Sequence, residues 1–299
     1  MNYPIIFIHK GNSSYLKKCV QQAKKSNPSS EIILIGDNNN QTIKGIIHFN
    51  IDNFSESATK FSSIYQHQSF NEYHFELFCY QRWFILNDFV KSQKIKCFWY
   101  VDSDVLIFED LEVYLKTINS VATYDLIGYD VKKAPKELDI FMPAINLFKY
   151  KTLSSACEFI FKSYTKPKIA TILSTKWKHH QKNKIAGGVC DMTHLYLFFL
   201  EKNYKSFHTF DINNECIVDG NINKVYNYDI NKTLFKTINN KKLLQKSKGK
   251  FYLTLEDGRK KKVIASHFQG SAKSMIDRYS QNKFNLKLLV KRIIKRIIH

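Results

Sequence analysis

The stretch Phe98-Trp99-Tyr100-Val101-Asp102-Ser103-Asp104-Val105-Leu106-Ile107 places two carboxylates directly after an apolar segment. The aromatic and β-branched residues of 95–101 predict a buried strand with parallel neighbours, and ligands bind at the carboxyl edge of such sheets. Asp102 and Asp104 repel each other there unless they share a cation. Because Mg²⁺ and Mn²⁺ prefer carboxylate, water and phosphate oxygens, we interpret the pair as a site for a metal ion that bridges to a diphosphate.

Two other interpretations of this pair compete with a metal site. Asp-x-Asp occurs by chance, and acidic residues after a strand often cap a helix or form a turn. A phosphatase-type nucleophilic aspartate also follows an apolar strand. That pattern, however, usually lies near the start of its domain and has Thr or Val two residues after the second aspartate, where this chain has Leu106.

The composition indicates a globular enzyme with a large excess of positive charge. With 299 residues of which 44% are hydrophobic, the chain can bury a substantial core as one large domain or one domain with an appendage. Its 46 Lys and Arg against 26 Asp and Glu give a formal charge of +20, which favours an anionic partner such as a phosphate, a nucleic acid or an acidic membrane. No recognised nucleic-acid-binding motif is present, so nucleic acid is not expected as a partner.

The cysteines and the N-terminal residues indicate the cellular compartment of the protein. Six cysteines are widely spaced and never form Cys-x-x-Cys, which predicts reduced core residues of a cytosolic protein. The first residues lack the charged lead and long apolar stretch of a secretory signal. No uninterrupted apolar run approaches the roughly 20 residues that span a bilayer. We therefore expect a cytoplasmic protein.

The order of predicted elements indicates an α/β fold. Strands at 5–8 and 32–35 flank a helix and form a βαβ unit, whose glycine-bearing first loop lies at the carboxyl edge of the sheet. A long helix over 70–91 carries Arg82 and leads into the aspartate strand. The other predicted elements are strands at 46–49, 126–129 and 140–148, helices at 111–118 and 153–164, and a helix that opens near Asp191. An irregular basic connection at 166–186 could close over substrate. Its Lys178-His179-His180 could be a metal pair, but adjacent histidines point apart, which favours a solvated basic loop.

A second group of polar residues follows a strand predicted at 263–266. His267, Gly270 and Lys273 are spaced three residues apart. A neutral imidazole ligates Mn²⁺, a glycine lets the backbone approach a phosphate, and an ammonium neutralises a leaving diphosphate. His267 taken alone would be interpreted as a core or capping histidine, but its companions favour a ligand.

These motifs resemble those of the GT-A fold glycosyltransferases, most closely glycosyltransferase family 8 and its relatives, which use nucleotide-sugar donors. In that family an arginine on a helix precedes the Asp-x-Asp motif, and a late His-x-x-Gly-x-x-Lys follows it. Arg82, Asp102-Ser103-Asp104 and the 267–273 segment match in order and spacing.

The resemblance implies a role for each matched residue. Asp102, Asp104 and His267 would coordinate Mn²⁺ or Mg²⁺, with a UDP-sugar as the donor. Gly270 and Lys273 would contact the diphosphate, and Arg82 would hold the donor phosphate or sugar. Apart from the resemblance, we also expect His9 and Ser103 in the donor-binding set, and Asp191 together with Lys273 in the catalytic set. The expected fold is a GT-A, Rossmann-like mixed sheet, mainly parallel and flanked by helices, over 1–280.

The acceptor side departs from the family pattern. The family commonly has Phe-Asn-x-Gly on the strand after its metal motif, whereas residues 141–146 are Phe-Met-Pro-Ala-Ile-Asn. It also often has an acidic residue paired with Gln or Asp near the sugar, where 188–193 offers only Asp191. The closest family retains anomeric configuration, and a nearby branch with Asp191 as general base would invert it. A simple helix cap is the third role open to Asp191.

The C-terminal segment 281–299 is predicted to be a basic amphipathic helix. Over 284–299 its apolar residues cluster on one helical face and its lysines and arginines cover the rest, without an acidic residue. Such a helix attaches to an anionic membrane surface. The alternative is a terminal helix docked on the protein's own core.

Together these features predict a metal-dependent, retaining glycosyltransferase at the inner face of a membrane. The acceptor would be a glycan or glycolipid such as a lipopolysaccharide or capsule precursor. The alternatives are a basic lipid- or nucleic-acid-binding protein without catalysis, and another nucleotide-dependent transferase.

Overall fold

Residues 2–130, 140–227 and 232–280 are described by this computed structural model, and they contain fourteen strands and eight α-helices. The strands are β1 (Ile5–His9), β2 (Ile32–Gly36), β3 (Ile47–Asn50), β4 (Cys97–Val101), β5 (Val105–Ile107), β6 (Leu126–Gly128), β7 (Ile145–Lys149), β8 (Ser206–His208), β9 (Cys216–Asp219), β10 (Thr237–Ile238), β11 (Lys241–Lys242), β12 (Gln245–Ser247), β13 (Lys250–Thr254) and β14 (Lys260–His267). The helices are α1 (Leu16–Ser26), α2 (Glu56–Ser62), α3 (Tyr73–Ser92), α4 (Leu111–Leu115), α5 (Tyr150–Ser163), α6 (Pro167–Asn183), α7 (Asp191–Lys202) and α8 (Ile276–Ser280).

A seven-stranded sheet with the order β3-β2-β1-β4-β7-β6-β8 forms the centre of the fold. Neighbouring strands from β3 to β4 are parallel, β7 is antiparallel to both β4 and β6, and β8 is parallel to β6. The predicted mixed, mainly parallel sheet flanked by helices is therefore confirmed. The aspartate strand β4 has a parallel neighbour on one side only, because the chain runs back along its other side as β7.

Apolar runs explain why the middle of the sheet is buried on both faces. Every residue of β1 and of β2 is buried, as expected for parallel strands that are covered by helices on both sides. Helices α3, α5 and α7 pack against one another, and α1 packs against β2, β5 and α8. Trp83 of α3 and Trp99 of β4 are among the largest side chains of this core.

A second, five-stranded sheet has the order β12-β13-β14-β5, and β9 pairs in parallel with β14. The side chains of a strand alternate between its two faces. Val105 and Ile107 of β5 accordingly belong to the main core, whereas Leu106 belongs to a smaller core under the second sheet. The three residues after Asp104 thus join the two cores.

The segment predicted as an irregular basic connection at 166–186 is instead helix α6. The helix begins at Pro167, which occupies the first turn, where its missing N–H costs nothing. Ile169, Leu173 and Lys176 form its buried stripe at helical spacing. The prediction of a loop is wrong. It relied on the polar composition of the segment and overlooked this buried stripe.

Several predicted boundaries also shift. The strand predicted at 140–148 begins only at Ile145, after Pro143, whose backbone has no N–H to donate to a sheet. The helix predicted at 153–164 begins at Tyr150, directly after β7, and the helix predicted at 111–118 ends at Leu115. The predicted amphipathic helix at 281–299 lies outside the described residues. Within the described part of the chain, no helix is both long and apolar enough to cross a bilayer.

Candidate cation and diphosphate site

Two carboxylates and one imidazole converge where the two sheets meet. One ligand atom each from Asp102, Asp104 and His267 lies within 4.8 Å of the others. The His267 Nε2 atom is 2.9 Å from Oδ1 of Asp104 and 3.9 Å from Oδ2 of Asp102. The pairing of β14 with β5 sets this geometry, since it places His267 opposite Val105 and next to Asp104.

A backbone carbonyl sets the orientation of the imidazole. The Nδ1 atom of His267 lies 3.1 Å from the carbonyl oxygen of Gly220, which can accept its proton. The Nε2 atom then faces the two aspartates. Burial lowers the pKa of His267, but the charge and hydrogen bond of Asp104 together with the charge of Asp102 outweigh burial and raise the pKa. The site therefore favours positive charge at this point, as a cation-binding site does.

Asp104 is held in its ionised form. Burial raises its pKa, but His267 and Lys273 outweigh burial and lower the pKa to about 2. The ammonium of Lys273 is 3.3 Å from Oδ2 of Asp104 and 5.0 Å from the ring centre of Tyr15. Lys273 is 38% exposed, so its charge is also available to a ligand.

Arg82 on α3 connects this cluster to a third carboxylate, that of Asp191. Its NH1 group donates to Oδ1 of Asp102 at 2.8 Å, and its NH2 group donates to Oδ2 of Asp191 at 2.7 Å. The guanidinium also lies 5.1 Å from the ring centre of Trp83. The enclosed arginine thus already has two anionic partners within the protein, in addition to any donor phosphate.

Asp191 is a buried residue at the start of α7, with 1% exposure. Its Oδ2 accepts hydrogen bonds from Arg82 and, at 2.8 Å, from Nε1 of Trp83. The residue before it, Cys190, holds the N-cap position. The carboxylate therefore orients toward α3 and does not serve as a helix cap.

His9 and Ser103 lie together at the carboxyl edge of the parallel pair β1 and β4. The Nδ1 atom of His9 is 2.9 Å from Oγ of Ser103, and burial lowers the pKa of the imidazole. The Nε2 atom of His9 is buried and makes no hydrogen bond within the described residues. The parallel register of β1 and β4 brings the two residues to the same end of the sheet.

Gly270 begins the turn that carries Lys273. Its φ of +52° lies in the left-handed region, and no atom lies within 4 Å of where a Cβ would be. The backbone is therefore open on this side. By contrast, His179 and His180 lie on α6 and bond to Asn183 and Ile185, so they form part of a solvated helix surface rather than a metal pair.

Two contributors to the site were missed in the sequence. The Tyr100 hydroxyl donates to Oδ1 of Asp102 at 2.7 Å. Strand periodicity could have indicated it, because residues two apart share a face. Gly220 carried no signal, since its role depends on a carbonyl brought to His267 by the pairing of β9 with β14.

No protein-family model and no curated protein matches the chain. Solved structures that the chain is similar to include glycosyltransferases. They are mouse xyloside xylosyltransferase 1 in its apo form (9% identity, TM-score 0.48, covering 70% of this chain and 85% of that one), the galactosyltransferase LgtC with donor and acceptor sugar analogues (13%, 0.41, 93% and 95%), and a glycosyltransferase involved in glycosylation of the major capsid of PBCV-1 (10%, 0.41, 93% and 98%). At TM-scores this low, the likeness concerns the course of the chain and carries no argument about its chemistry.

Proposed function

We propose that the chain is a metal-dependent glycosyltransferase of the GT-A type, which transfers a sugar from a UDP-linked donor to a glycan acceptor. The observation that carries the proposal is the convergence of Asp102, Asp104 and His267, with Lys273 beside them. The cluster follows β4 at the carboxyl edge of its parallel pair with β1, the edge where such sheets bind nucleotides.

The side chains of the cluster fit a hard divalent cation. Two carboxylates supply oxygen ligands, and the Gly220 carbonyl leaves Nε2 of His267 facing the same point. A bound Mn²⁺ or Mg²⁺ ion would neutralise the donor diphosphate and act as a Lewis acid on it as a leaving group.

Lys273 and Gly270 are placed to bind the diphosphate itself. Lys273 is held beside Asp104 with part of its side chain exposed, and its ammonium would share the charge that develops on the departing nucleoside diphosphate. The exposed backbone at Gly270, three residues earlier, would allow close approach of a phosphate. His9 and Ser103 line the same edge and would contact the donor.

Asp191 would contact the transferred sugar. Arg82 and Trp83 hold its carboxylate through Oδ2, which orients the group for a sugar hydroxyl. Because Arg82 also binds Asp102, the arginine would set the distance between the sugar-binding and cation-binding carboxylates. Transfer with retention of configuration is the proposed outcome, in keeping with the family that the motifs resemble. Inversion with Asp191 as general base is the alternative.

The proposed acceptor is a glycan or glycolipid, such as a lipopolysaccharide or capsule precursor, at the inner face of a membrane. The basic, amphipathic pattern of 284–299 supports attachment to an anionic membrane. Nucleic acid is not proposed as a partner.

The proposal is tested by product analysis with a panel of UDP-sugars, with Mn²⁺, with Mg²⁺ or with a chelator. We expect metal-dependent release of UDP from one donor, which Asp104→Asn abolishes and which the exposed control Asp52→Asn preserves. Manganese binding, measured by electron paramagnetic resonance, should fall in the same variant. Release of pyrophosphate would instead indicate nucleotidyl transfer. Salt-sensitive binding to polyanions without any effect of metal or nucleotide would indicate a non-catalytic basic protein.

A further inference from the structure

Exposed aromatic side chains are concentrated at the start of α3. Phe70 is 56% exposed, Tyr73 41% and Phe75 60%, and Phe161 is the one other largely exposed Phe, Tyr or Trp among the described residues. The ring of Phe70 lies beside that of Trp177 of α6, and Ile185, which is 42% exposed, lies two residues before Gly187, whose carbonyl binds the Phe70 N–H. We call Phe70, Tyr73, Phe75, Trp177 and Ile185 the aromatic platform. Clustered exposed apolar side chains on a protein surface usually mark an interaction site.

The platform is held together by backbone contacts between two distant segments. The Phe70 N–H donates to the carbonyl of Gly187 at 2.9 Å, and its ring lies 4.9 Å from that of Trp177. Ser69 pairs with Gly188, where an added Cβ would lie 2.4 Å from the Gln68 carbonyl. The segment before α3 and the segment after α6 thus form one surface.

The charge on the α6 side of the platform is uniformly positive, and the exposed carboxylate on the α3 side, Glu72, is bound by the backbone N–H groups of His74 and Phe75. Between Glu158 and Asp191 the sequence has seven lysines and no acidic residue. Lys178, Lys182 and Lys184 are exposed, and none of them forms an ion pair with a described carboxylate. Aromatic rings beside unpaired lysines match the interface of a membrane, where rings lie at head-group level and cations bind anionic lipids.

We infer that the aromatic platform docks on an anionic lipid bilayer. Sugar rings also stack on aromatic side chains, but a neutral glycan gives no reason for an acid-free run of lysines beside them. The contact differs from the predicted attachment through 284–299 and does not depend on the proposed activity. Helices α3 and α7 begin beside the platform and carry Arg82 and Asp191, so docking would hold the candidate site close to the lipid surface.

Tryptophan fluorescence can test this contact in the full-length chain. Trp83 and Trp99 are buried, with 0% and 1% exposure, whereas Trp177 is partly exposed and lies in the platform. Vesicles of brominated phosphatidylcholine and phosphatidylglycerol in equal parts should quench Trp177 on binding. Trp177→Phe should remove the quenched component, and vesicles without phosphatidylglycerol should quench little.

A matched pair of variants separates the platform from other apolar contacts. Phe70→Ser/Phe75→Ser should reduce quenching several-fold, whereas Phe161→Ser, at a residue that is 38% exposed elsewhere, should not. Melting temperatures and UDP release without vesicles should stay unchanged in both variants. If the chain sediments with the vesicles but Trp177 is not quenched, the membrane contact lies elsewhere and the inference is overturned. An absence of vesicle binding would also overturn the inference. So would quenching of the Trp177 fluorescence, or a shift of its emission, by an oligosaccharide alone.

Discussion

At the scale of single residues, Arg82 is the side chain on which most of the candidate site depends. It binds Asp102 and Asp191 at once, and the side chain of Asp191 is only 2% exposed. A buried carboxylate that loses its cation is left uncompensated, which costs far more than the loss of an exposed ion pair.

We therefore predict that Arg82→Met lowers the free energy of unfolding by about 3–5 kcal/mol, because two enclosed carboxylates lose their partner. Arg82→Lys should cost less in stability but still reduce UDP release strongly, since one ammonium cannot bridge both groups. Urea denaturation and product assays measure the two effects. The exposed pair of Arg259 with Asp257 is the control, and Arg259→Met should change stability little. Equal losses in the two Met variants would show that the bridge is unimportant.

A buried histidine at the start of α7 predicts a pH dependence of stability. Burial lowers the pKa of His194 from its ordinary value of 6.5 to about 4. Its surroundings include the Tyr80 hydroxyl, the Tyr164 ring and the Cys190 carbonyl. Asp191 and Lys176 also act on it at longer range.

Because the unfolded chain binds this proton more readily than the folded chain does, His194 contributes no penalty above about pH 6.5. Stability should then fall by about 3 kcal/mol as the pH decreases toward 4. Urea midpoints between pH 7 and 4 should show a smaller decrease in His194→Gln than in the wild type. The exposed His74→Gln is the control. An unchanged slope in His194→Gln would contradict the prediction.

At the scale of elements, the strands around β14 support the imidazole of His267. Lys242 of β11 forms an ion pair with Asp219 of β9, and both side chains are 0% exposed. Asp219 also accepts a hydrogen bond from Ser266, and the next residue, Gly220, supplies the carbonyl that orients His267. The ion pair thus holds the segment whose carbonyl orients His267, a predicted metal ligand.

We expect Lys242→Met to destabilise the fold by about 3–5 kcal/mol, since it leaves Asp219 buried without its cation. It should also weaken manganese binding, because Gly220 loses its support. Lys242→Met/Asp219→Leu, which removes both charges, should recover part of the stability. Urea denaturation and manganese titration measure both effects. A double variant less stable than Lys242→Met would contradict this account.

At the scale of the whole molecule, the candidate site lies between two cores. Asp102 follows a strand of the main core, whereas His267 ends a strand of the second sheet. A ligand that binds both would therefore stabilise the two parts together, because only the folded arrangement holds the three side chains at one point.

Mn²⁺ with UDP at about 100 times its Kd should raise the stability of the fold by about 2.7 kcal/mol, seen as a shift of one cooperative thermal transition. Neither Mn²⁺ alone nor UDP alone should raise the stability by this full amount. Asp104→Asn should lose the shift, whereas Asp52→Asn should keep it. A shift that persists in Asp104→Asn would place nucleotide binding elsewhere.

The sequence by itself determined the strands and the polar residues that follow them. The segments 5–8, 32–35 and 95–101 are short and rich in β-branched and aromatic residues, which predicts buried strands, so the α/β fold could be inferred from them. The carboxylates after β4 and the histidine at the end of β14 could be chosen because a charged or titratable group at the end of a buried strand is unfavourable there unless it binds a partner.

Only the tertiary structure decided which of these residues meet. The pairing of β14 with β5 joins residues far apart in sequence, and no local pattern specifies that register. The same holds for the Arg82 bridge to Asp191 and for the carbonyl of Gly220. Helix α6 was missed because burial of Ile169 and Leu173 outweighed the polar composition around them. Contacts across the chain depend on packing energy, which is a property of the whole fold rather than of any one segment.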